Sequence, residues 1–469
     1  MRPASRQLLI CLIVACAMFM QGMDSTVIAT ALPVIARSLG ESPLRLNVAI
    51  TCYLLSLAVF VPISGWTADR FGARRVFSAA IVVFTLGSIG CGVSNSLAML
   101  VLSRIVQGVG GAMMVPVGRL VLLKTVPRSE LVRAMSYVSL PALLGPVTGP
   151  LLGGFLATYG SWRWIFFINV PIGVIGITLI NLFIEDFRET GGGRPFDFRG
   201  FVLTGVGLAS LAFGFETVGR GAVPAVVTAG LLAIGVICMV LYTRHARRVE
   251  FPVIDLALMR IPTYAAATVG GFLFRMGMGA LPFLLPLMLQ VGFGLTALNS
   301  GMLTFASAAG AMTMKIGVNQ IIRTLGFRNV MVGNAVISAG FLFLYALFTP
   351  STPHFLIFAT LLAGGFFRSL QMTSINSLGY ADVPAGMLSR ATSLTSMCQQ
   401  LSQTVGVATG AMLLYILLAM RGETHLTPFD FSIAFAGVAC IGMLSVPFFL
   451  RMSPDAGAAV SGRHKLVQS

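Results

Sequence analysis

Charged residues are scarce in this sequence: Asp, Glu, Lys and Arg together make up 10% of its 469 residues. A water-soluble domain carries roughly 25% charged residues. Because 56% of the residues are hydrophobic, a soluble surface of this size cannot be assembled, and most of the surface must face lipid. The shortage of charge therefore excludes an ordinary soluble domain and predicts an all-α polytopic membrane protein.

The patterns that hold metals, disulfides or nucleotides are also missing. The seven cysteines stand inside apolar runs without ligand spacing, so we expect them to be apolar packing residues, with no metal site. No Walker A, HExxH or GxSxG motif occurs, and no soluble segment reaches domain size. We therefore predict that the chain is not an enzyme, that it needs no cofactor, and that a transmembrane gradient drives it.

Acidic residues are half as frequent as basic ones, 15 against 31, which gives a formal net charge of +16. A basic balance can indicate nucleic-acid binding. Here the cations stand singly between apolar runs, so no basic face exists that could displace counterions from a duplex. We expect no nucleic-acid partner; the expected partners are a small-molecule substrate and the lipid bilayer, with the chain acting as a monomer.

Long apolar runs are abundant, and about 20 apolar residues suffice for one helix to cross a bilayer. Fourteen candidate spans follow one another along the chain. They are 8–30, 47–68, 75–95, 97–123, 132–157, 162–184, 200–217, 223–243, 263–290, 298–320, 329–349, 353–377, 387–420 and 429–451.

The loops between these segments predict the orientation of the chain. Cytoplasmic loops are enriched in Lys and Arg. With the N-terminus inside, most basic residues fall in cytoplasmic loops, and an even number of spans places both termini in the cytoplasm. We expect a multi-pass protein of the bacterial cytoplasmic (inner) membrane.

Residues 65–75 read GWTADRFGARR and join the second and third spans. Two glycines permit a tight turn, and the charged side chains can pair with charges or helix termini on neighbouring segments. Such a loop would act as a conformational latch that holds one state of the molecule. The latch residues that we predict are Gly65, Asp69, Arg70, Gly72 and Arg74.

Two further patterns lie within the fourth and fifth spans. Arg104, Gln107 and Gly108 share one helical face, which is polar and suits an aqueous cavity. The fifth span is rich in glycine and proline, which permit close helix packing and a bend. Its motif residues are Gly145, Pro146, Gly149, Pro150, Gly153 and Gly154.

Together these motifs resemble those of the major facilitator superfamily. The loop 65–75 is similar to its motif A, the Arg104 stretch to motif B, and residues 145–154 to the antiporter motif C. The segment around Asp24 and the stretch WRWIFFINVP at 162–171 resemble the fourteen-span drug:proton antiporter group. The second-half counterpart of motif A, residues 317–328, lacks the acid.

The resemblance implies two six-helix halves with an inserted two-helix hairpin, giving 14 transmembrane helices. The expected division is an N-terminal half at 1–184, linker loops with the hairpin at 185–262, a C-terminal half at 263–451 and a cytoplasmic tail at 452–469. It also implies export of drug-like molecules by proton antiport through alternating access.

Ionisable groups within spans are costly and point to function. Asp24 is the one clear acid, and at about 1.5 Å per residue it lies at a depth similar to that of Arg104. Our hypothesis is that Asp24 exchanges protons and that Arg104 tunes it, because a neighbouring cation favours the carboxylate whereas burial favours the neutral acid. The alternative is a permanent structural ion pair.

The other buried positions suggest a substrate cavity. Five bases lie within spans against one acid, and this balance favours an organic anion such as a carboxylate or its metal chelate, whereas the family resemblance favours lipophilic drugs. For one of the five, Lys315, snorkelling to the interface is an equal alternative. A gradient-driven importer and a membrane scaffold remain further alternatives. The predicted cavity residues are Gln21, Arg119, Arg275, Arg368, Gln371, Gln399 and Gln403.

Overall fold

A computed structural model describes residues 3–125, 131–184, 195–217, 224–250, 252–384, 387–423 and 425–457. In these parts of the chain every regular element is helical. The first ten α-helices are α1 (Pro3–Leu39), α2 (Pro43–Phe60), α3 (Ser64–Phe71), α4 (Ala73–Gly92), α5 (Leu97–Thr125), α6 (Leu131–Tyr159), α7 (Trp164–Phe167), α8 (Asn169–Phe183), α9 (Phe198–Thr217) and α10 (Ala225–Ala246).

The remaining helices form the second part of the chain. They are α11 (Pro262–Gly279), α12 (Leu281–Leu287), α13 (Ala297–Leu325), α14 (Phe327–Ala346), α15 (His354–Ala381), α16 (Leu388–Arg421), α17 (Pro428–Met443) and α18 (Val446–Leu450). Short 3₁₀ turns at Val61–Ile63 and Leu256–Arg260 and a π-helical turn at Met288–Gly292 complete the description.

The chain divides into two compact units. The first contains Met1–Phe201 with Thr296–Gly301, and the second contains Val202–Leu295 with Met302–Ser469. The predicted four-part division of the chain stays a prediction, and its linker residues 185–194 and tail residues 458–469 lie outside the described residues.

Small residues set the helix packing inside the first unit. A Cβ atom at Gly108 of α5 would lie 2.8 Å from the Tyr53 carbonyl oxygen of α2, and one at Gly87 of α4 would lie 2.5 Å from the backbone nitrogen of Gln107. Neither approach leaves room for a side chain, because real Cβ atoms do not come so close to other atoms. Helices α2, α4 and α5 therefore pack backbone against backbone.

Helices of the second unit also pack closely at glycines. Gly310 of α13 faces the Leu362 carbonyl group of α15, and Gly365 of α15 faces the Ser307 carbonyl group of α13. Where α16 crosses α11, a Cβ atom at Gly406 would meet the backbone of α11. The small residues of the sequence thus mark the helix crossings in both units.

Among the described residues, twelve helical stretches are long and apolar enough to span a membrane by length and composition. The two predicted spans that this set leaves out fall on α6 and α13. Helix α13 is rich in Ala, Gly, Ser and Thr, which are small but weakly apolar. Side chains of α6 are described only from Leu144 onward, which is shorter than the roughly 20 residues of a span.

Several predicted spans differ from the helices in length or continuity. Helix α1 continues through Pro33 to Leu39, beyond the predicted end at residue 30. The predicted span 263–290 is interrupted after α11 and again after α12. Pro282 and Pro286 lack the amide hydrogen that a regular helix needs at each position, so the backbone bends there.

The crossing of α13 and α15 makes one testable prediction. Adding a methyl group at Gly365 in Gly365→Ala forces the two backbones apart, and overpacking of this kind costs about 1–3 kcal/mol. We expect a lower melting temperature of the purified protein, read by size-exclusion chromatography after heating. The matched control is Gly340→Ala, because a Cβ atom at Gly340 of α14 would meet nothing within 4 Å. Equal melting temperatures for the two variants would contradict the packing described here.

Candidate functional site

Helices α1 and α6 of the first unit pack along a line of glycines. A Cβ atom at Gly145 would lie 2.5 Å from the Phe19 carbonyl oxygen, and one at Gly153 would lie 2.5 Å from the Val27 carbonyl oxygen. Gly149, between them, faces the same helix. Residues four positions apart share one helix face, so this motif makes a smooth surface on which α1 lies.

The other motif residues of α6 contact α1 and the start of α13. A Cβ atom at Gly154 would lie 2.5 Å from the carbonyl oxygen of Ala297, and Gly301 faces the Pro150 carbonyl group. The Pro146 carbonyl oxygen accepts a long hydrogen bond, 3.4 Å, from a threonine of α1. The predicted motif therefore holds α6 against α1 on one side and against the start of α13 on the other.

The α1–α6 pair presents Asp24 to the remaining helices of the first unit. Arg104 Nη1 of α5 donates to Asp24 Oδ2 at 2.6 Å and to the Gln107 Oε1 atom at 2.7 Å. Gln107 Nε2 in turn donates to Asp24 Oδ1 at 2.8 Å. All three side chains are fully buried, so both carboxylate oxygens are held by donors from α5 without contact with solvent.

Three more polar side chains extend the network. Ser88 Oγ of α4 accepts from Gln107 Nε2 at 2.6 Å and from Asn169 Nδ2 of α8 at 3.1 Å. Asn169 Nδ2 also lies 3.5 Å from Asp24 Oδ1. The Cys91 thiol contacts Gln107 Oε1 at 3.7 Å. Three helices, α4, α5 and α8, thus contribute polar atoms around the one carboxylate of α1.

An aromatic wall encloses the guanidinium group. The Arg104 Cζ atom lies 4.0 Å from the ring centre of Tyr53 and 6.0 Å from that of Phe166. Arg104 Nε also donates to the Ala49 carbonyl oxygen at 3.4 Å. Aromatic faces attract a cation, and the attraction strengthens when water is excluded. Arg104 Nη2 has no hydrogen-bond partner among the described atoms.

This arrangement determines what Asp24 can do chemically. Each of its two oxygens accepts from a donor on α5, and the group has no contact with solvent. Removing one partner of a buried ion pair leaves the other charge uncompensated, which is strongly unfavourable. In this structure the carboxyl group therefore has no contact with solvent from which a proton could come.

The sequence placed Asp24 and Arg104 at similar depth, and the structure brings them into contact. The roles assigned to them stay predictions. Sequence reasoning missed Ser88 and Asn169. Asn169 stood within the quoted stretch 162–171 but received no role, and Ser88 gave no signal because a lone serine in an apolar helix is common.

The predicted latch loop is mostly helical, because Gly65 and Arg70 lie within α3 and the turn is confined to Gly72. Gly72 follows α3 with a backbone φ of 92°, which residues other than glycine rarely adopt. Helix α4 starts at the next residue. Arg74 Nη2 donates to the Asn181 carbonyl oxygen near the end of α8 at 2.5 Å. Gly65 and Arg70 are exposed. The side chain of Asp69 lies outside the described residues, so its part in the latch stays a prediction.

The second unit has a similar glycine turn and arginine contact, but residues 317–328 contain no acidic residue. Gly326 precedes α14 with φ of 78°. Two residues later, Arg328 Nη2 donates to the Leu450 carbonyl oxygen at the end of α18 at 3.1 Å. In each unit an arginine therefore binds the negative end of a later helix, an interaction that the helix dipole favours.

Arg275 lies in the second unit, almost wholly buried at 2% exposure. Its Nη2 atom donates to Asn376 Oδ1 at 2.8 Å, and its Nε atom has no partner among the described atoms. A small cavity beside it is also lined by Thr268, Thr395 and Cys398. Within the described residues no carboxylate pairs with Arg275. The described hydrogen bond of its guanidinium group is to the neutral amide of Asn376.

The other predicted bases have different surroundings. Arg368 is half-buried on α15. Lys315 is exposed, and its Nζ atom donates to the Thr373 hydroxyl at 2.8 Å. Arg119 is exposed on α5. None of the three makes an ion pair among the described residues.

One predicted cavity residue joins two helices. Gln371 is fully buried, its Nε2 atom donates to the Met331 carbonyl oxygen at 3.1 Å, and its Oε1 atom accepts from Asn334 Nδ2 at 3.1 Å. The amide therefore links α15 to α14 in this structure, and its part in a substrate cavity stays a prediction.

The remaining predicted glutamines are half-buried and stay candidates. Gln399 and Gln403 lie on α16. Gln21 lies on α1, three residues before Asp24, and its buried Oε1 atom has no partner among the described atoms.

Comparison with known proteins now adds to this geometry. The family model described as Major Facilitator Superfamily matches residues 14–407. The chain belongs to this superfamily. The predicted resemblance is confirmed, and so is the prediction that the chain is not an enzyme, since the members it matches are transporters.

Two relatives within this superfamily come from Salmonella heidelberg (strain SL476) and Salmonella typhi. Both are named "Putative multidrug resistance protein MdtD". Each is 41% identical over 415 residues, which cover 88% of this chain and 87% of the relative.

Solved structures show the same superfamily fold at low sequence identity. The crystal structure of a D-xylose-proton symporter matches with a TM-score of 0.68 at 14% identity, covering 96% of this chain and 98% of that one. A bacterial homologue of the human lysosomal transporter Spinster matches with a TM-score of 0.61 at 15% identity, covering 98% and 97%. Together with the apolar helices, these matches establish a multi-pass membrane transporter fold.

The buried pair predicts a measurable coupling between two substitutions. Arg104→Gln leaves Asp24 without its cation, and breaking a buried pair costs about 3–5 kcal/mol. We expect the melting temperature of this variant to fall by more than about 5 °C. The double variant Asp24→Asn with Arg104→Gln removes both charges and should lose less than the two single variants added together. Strictly additive losses would contradict a direct interaction.

Proposed function

We propose that this transporter is a proton-coupled exporter of small, drug-like molecules that works by alternating access. The proposal includes fourteen membrane spans, the bacterial inner membrane, cytoplasmic termini and a monomeric chain with a proton gradient in place of a cofactor. The names of its relatives support drug-like substrates. The single observation that carries proton coupling is the buried Asp24 carboxylate, held by Arg104 and Gln107.

A fully buried carboxylate is costly unless it is satisfied, and here two donors satisfy it. The same contacts make its protonation conditional on a change of shape, because a proton can reach it only after Arg104 or Gln107 withdraws. Proton binding at Asp24 and helix movement are then linked, because neither occurs without the other. That linkage is what a secondary transporter needs to turn a proton gradient into movement of its substrate.

The latch contributes a bias between states in this scheme. Arg74 ties the start of α4 to the end of α8, and Arg328 makes the corresponding contact in the second unit. Both contacts involve single hydrogen bonds at partly exposed positions, so their free energy is modest. Contacts of this strength can hold one conformation and still yield during a transport cycle.

Asp24→Asn tests the coupling role. The amide cannot exchange a proton and keeps the shape of the side chain, although its NH2 group donates where one carboxylate oxygen accepts. In proteoliposomes with an imposed pH gradient, we expect uphill transport of ethidium, used as a lipophilic probe, to fall at least tenfold. Exchange of ethidium without a gradient should persist.

Asp455→Asn is the matched control, because this acid is exposed after the last helix, and it should transport normally. Uphill transport by Asp24→Asn at the rate of the unchanged protein would show that the pair is only structural.

Arg275 favours a second candidate, export of an organic anion. It is the one fully buried arginine of the second unit within the described residues, and no carboxylate neutralises it there. An unbalanced buried cation attracts an anionic group far more strongly than a solvated one does. A carboxylate, or its complex with a metal ion, is the substrate chemistry that fits.

Flux of radiolabelled di- and tricarboxylates, with and without divalent metal, separates the two candidates. If anions are substrates, Arg275→Gln should reduce their uptake into inverted vesicles at least fivefold. Ethidium transport should stay unchanged. Lys315→Gln is the control, since Lys315 is exposed and bonded to a hydroxyl group. Equal anion flux in Arg275→Gln and the unchanged protein would remove this candidate.

A further inference from the structure

The segment WRWIFFINVP at 162–171 is the one sequence motif that the proposed function leaves without a role. It forms the turn before α7, the short helix α7 itself and the start of α8. Trp162, Ile165 and Phe166 are buried, at 4%, 0% and 0% exposure. One side of the segment therefore faces the interior of the first unit, while Trp164 and Pro171 are exposed.

Two contacts fix this segment on the end of α4. Arg163 Nη2 donates to the Ser94 carbonyl oxygen at 3.0 Å and to Asn95 Oδ1 at 2.8 Å, while its Cζ atom lies 4.4 Å from the Trp162 ring. Phe167 packs on Gly92, where a Cβ atom would lie 2.6 Å from the ring. The start of α8 is thus held in one position relative to α4.

From this position two side chains reach the Asp24 network. The Phe166 ring forms part of the wall around Arg104. Asn169, the first residue of α8, directs its Nδ2 atom towards Asp24 Oδ1 at 3.5 Å and towards Ser88 Oγ at 3.1 Å. Ser88 Oγ also contacts Gln107 Nε2, the second donor to Asp24.

The Asn169 amide is satisfied on one side only. Its Oδ1 atom is buried without a partner among the described atoms, whereas both contacts of the amide run through Nδ2. A buried carbonyl oxygen without a donor is unfavourable, and an apolar residue of the same size would avoid that cost. The amide therefore makes physical sense as a donor aimed at a negative charge.

We propose that Asn169 is a positioning residue that holds the ionised form of Asp24, directly and through Ser88. This inference rests on the proposed coupling role of Asp24. When the carboxyl group takes up a proton, its need for donors falls and the contact with Asn169 weakens. The start of α8, and with it the whole 162–171 segment, then responds to the protonation state of Asp24.

Other titratable groups also face Asp24. Among the described residues they are Arg104 from α5, the Tyr53 phenol from α2 and the Cys91 thiol from α4. Arg104 is the one group of this set that carries a full charge near neutral pH. A substitution of Asn169 leaves the Arg104 cation in place. It should therefore shift the titration of Asp24 without abolishing it.

Infrared difference spectroscopy of the full chain in membranes measures this titration without a substrate. The carbonyl band of a protonated carboxyl group is followed against pH, and the part that disappears in Asp24→Asn is assigned to Asp24. Because Asn169 favours the ionised form, its removal should let the proton stay on to higher pH. We expect Asn169→Ala and Asn169→Leu to raise the midpoint by about half a pH unit or more.

Asn169→Leu keeps the size of the side chain, so it covers the case in which the alanine variant fails to fold. If neither variant folds, Ser88→Ala carries the test with the same expected direction. Thr178→Ala is the control on α8, since that hydroxyl is bonded only within its own helix, and it should leave the midpoint unchanged.

The outcomes separate the two proposals. A midpoint that stays in place in the Asn169 variants would overturn the positioning role while leaving the coupling role of Asp24 intact. A membrane sample in which no band depends on Asp24 at any pH would overturn the coupling role, and the inference about Asn169 with it.

Discussion

A carboxylate and a guanidinium group, both without solvent contact, face each other between α1 and α5. Removing such charges from water costs several kcal/mol for each ion, and only good geometry and further hydrogen bonds repay it. Here Gln107 supplies a second donor to Asp24, and Tyr53 offers its ring face to Arg104. Much of the surrounding structure can be understood as the means of keeping this pair dry and correctly placed.

The glycines explain which parts of the first unit hold that pair. Gly145, Gly149 and Gly153 hold α6 against α1, whereas Gly87 and Gly108 hold α5 against α4 and α2. The closest backbone contacts thus define two groups of helices, and the Asp24 network joins one group to the other. In the proposed cycle, protonation of one carboxyl group weakens the junction between them.

The sequence was sufficient for the family, the helical fold and the pairing partners at the site. Glycine spacing predicted close packing of the fifth span, because only glycine allows backbones to approach so closely, but it did not identify α1 as the partner. Depth counting paired Asp24 with Arg104 because rise per residue is constant. Asn169 and Ser88 were beyond reach, since their importance comes from distances across helices. The contact between Gln371 and Asn334 was beyond reach for the same reason, since the two residues are 37 positions apart in sequence.

The central claim is that Asp24, although fully buried, exchanges a proton with the surrounding solution. Proton uptake by the purified chain can be counted with a pH indicator as the solution is acidified. The account predicts that the unchanged protein takes up one proton more than Asp24→Asn. Identical uptake by the two proteins would contradict it, because the carboxylate would then remain locked to Arg104 throughout.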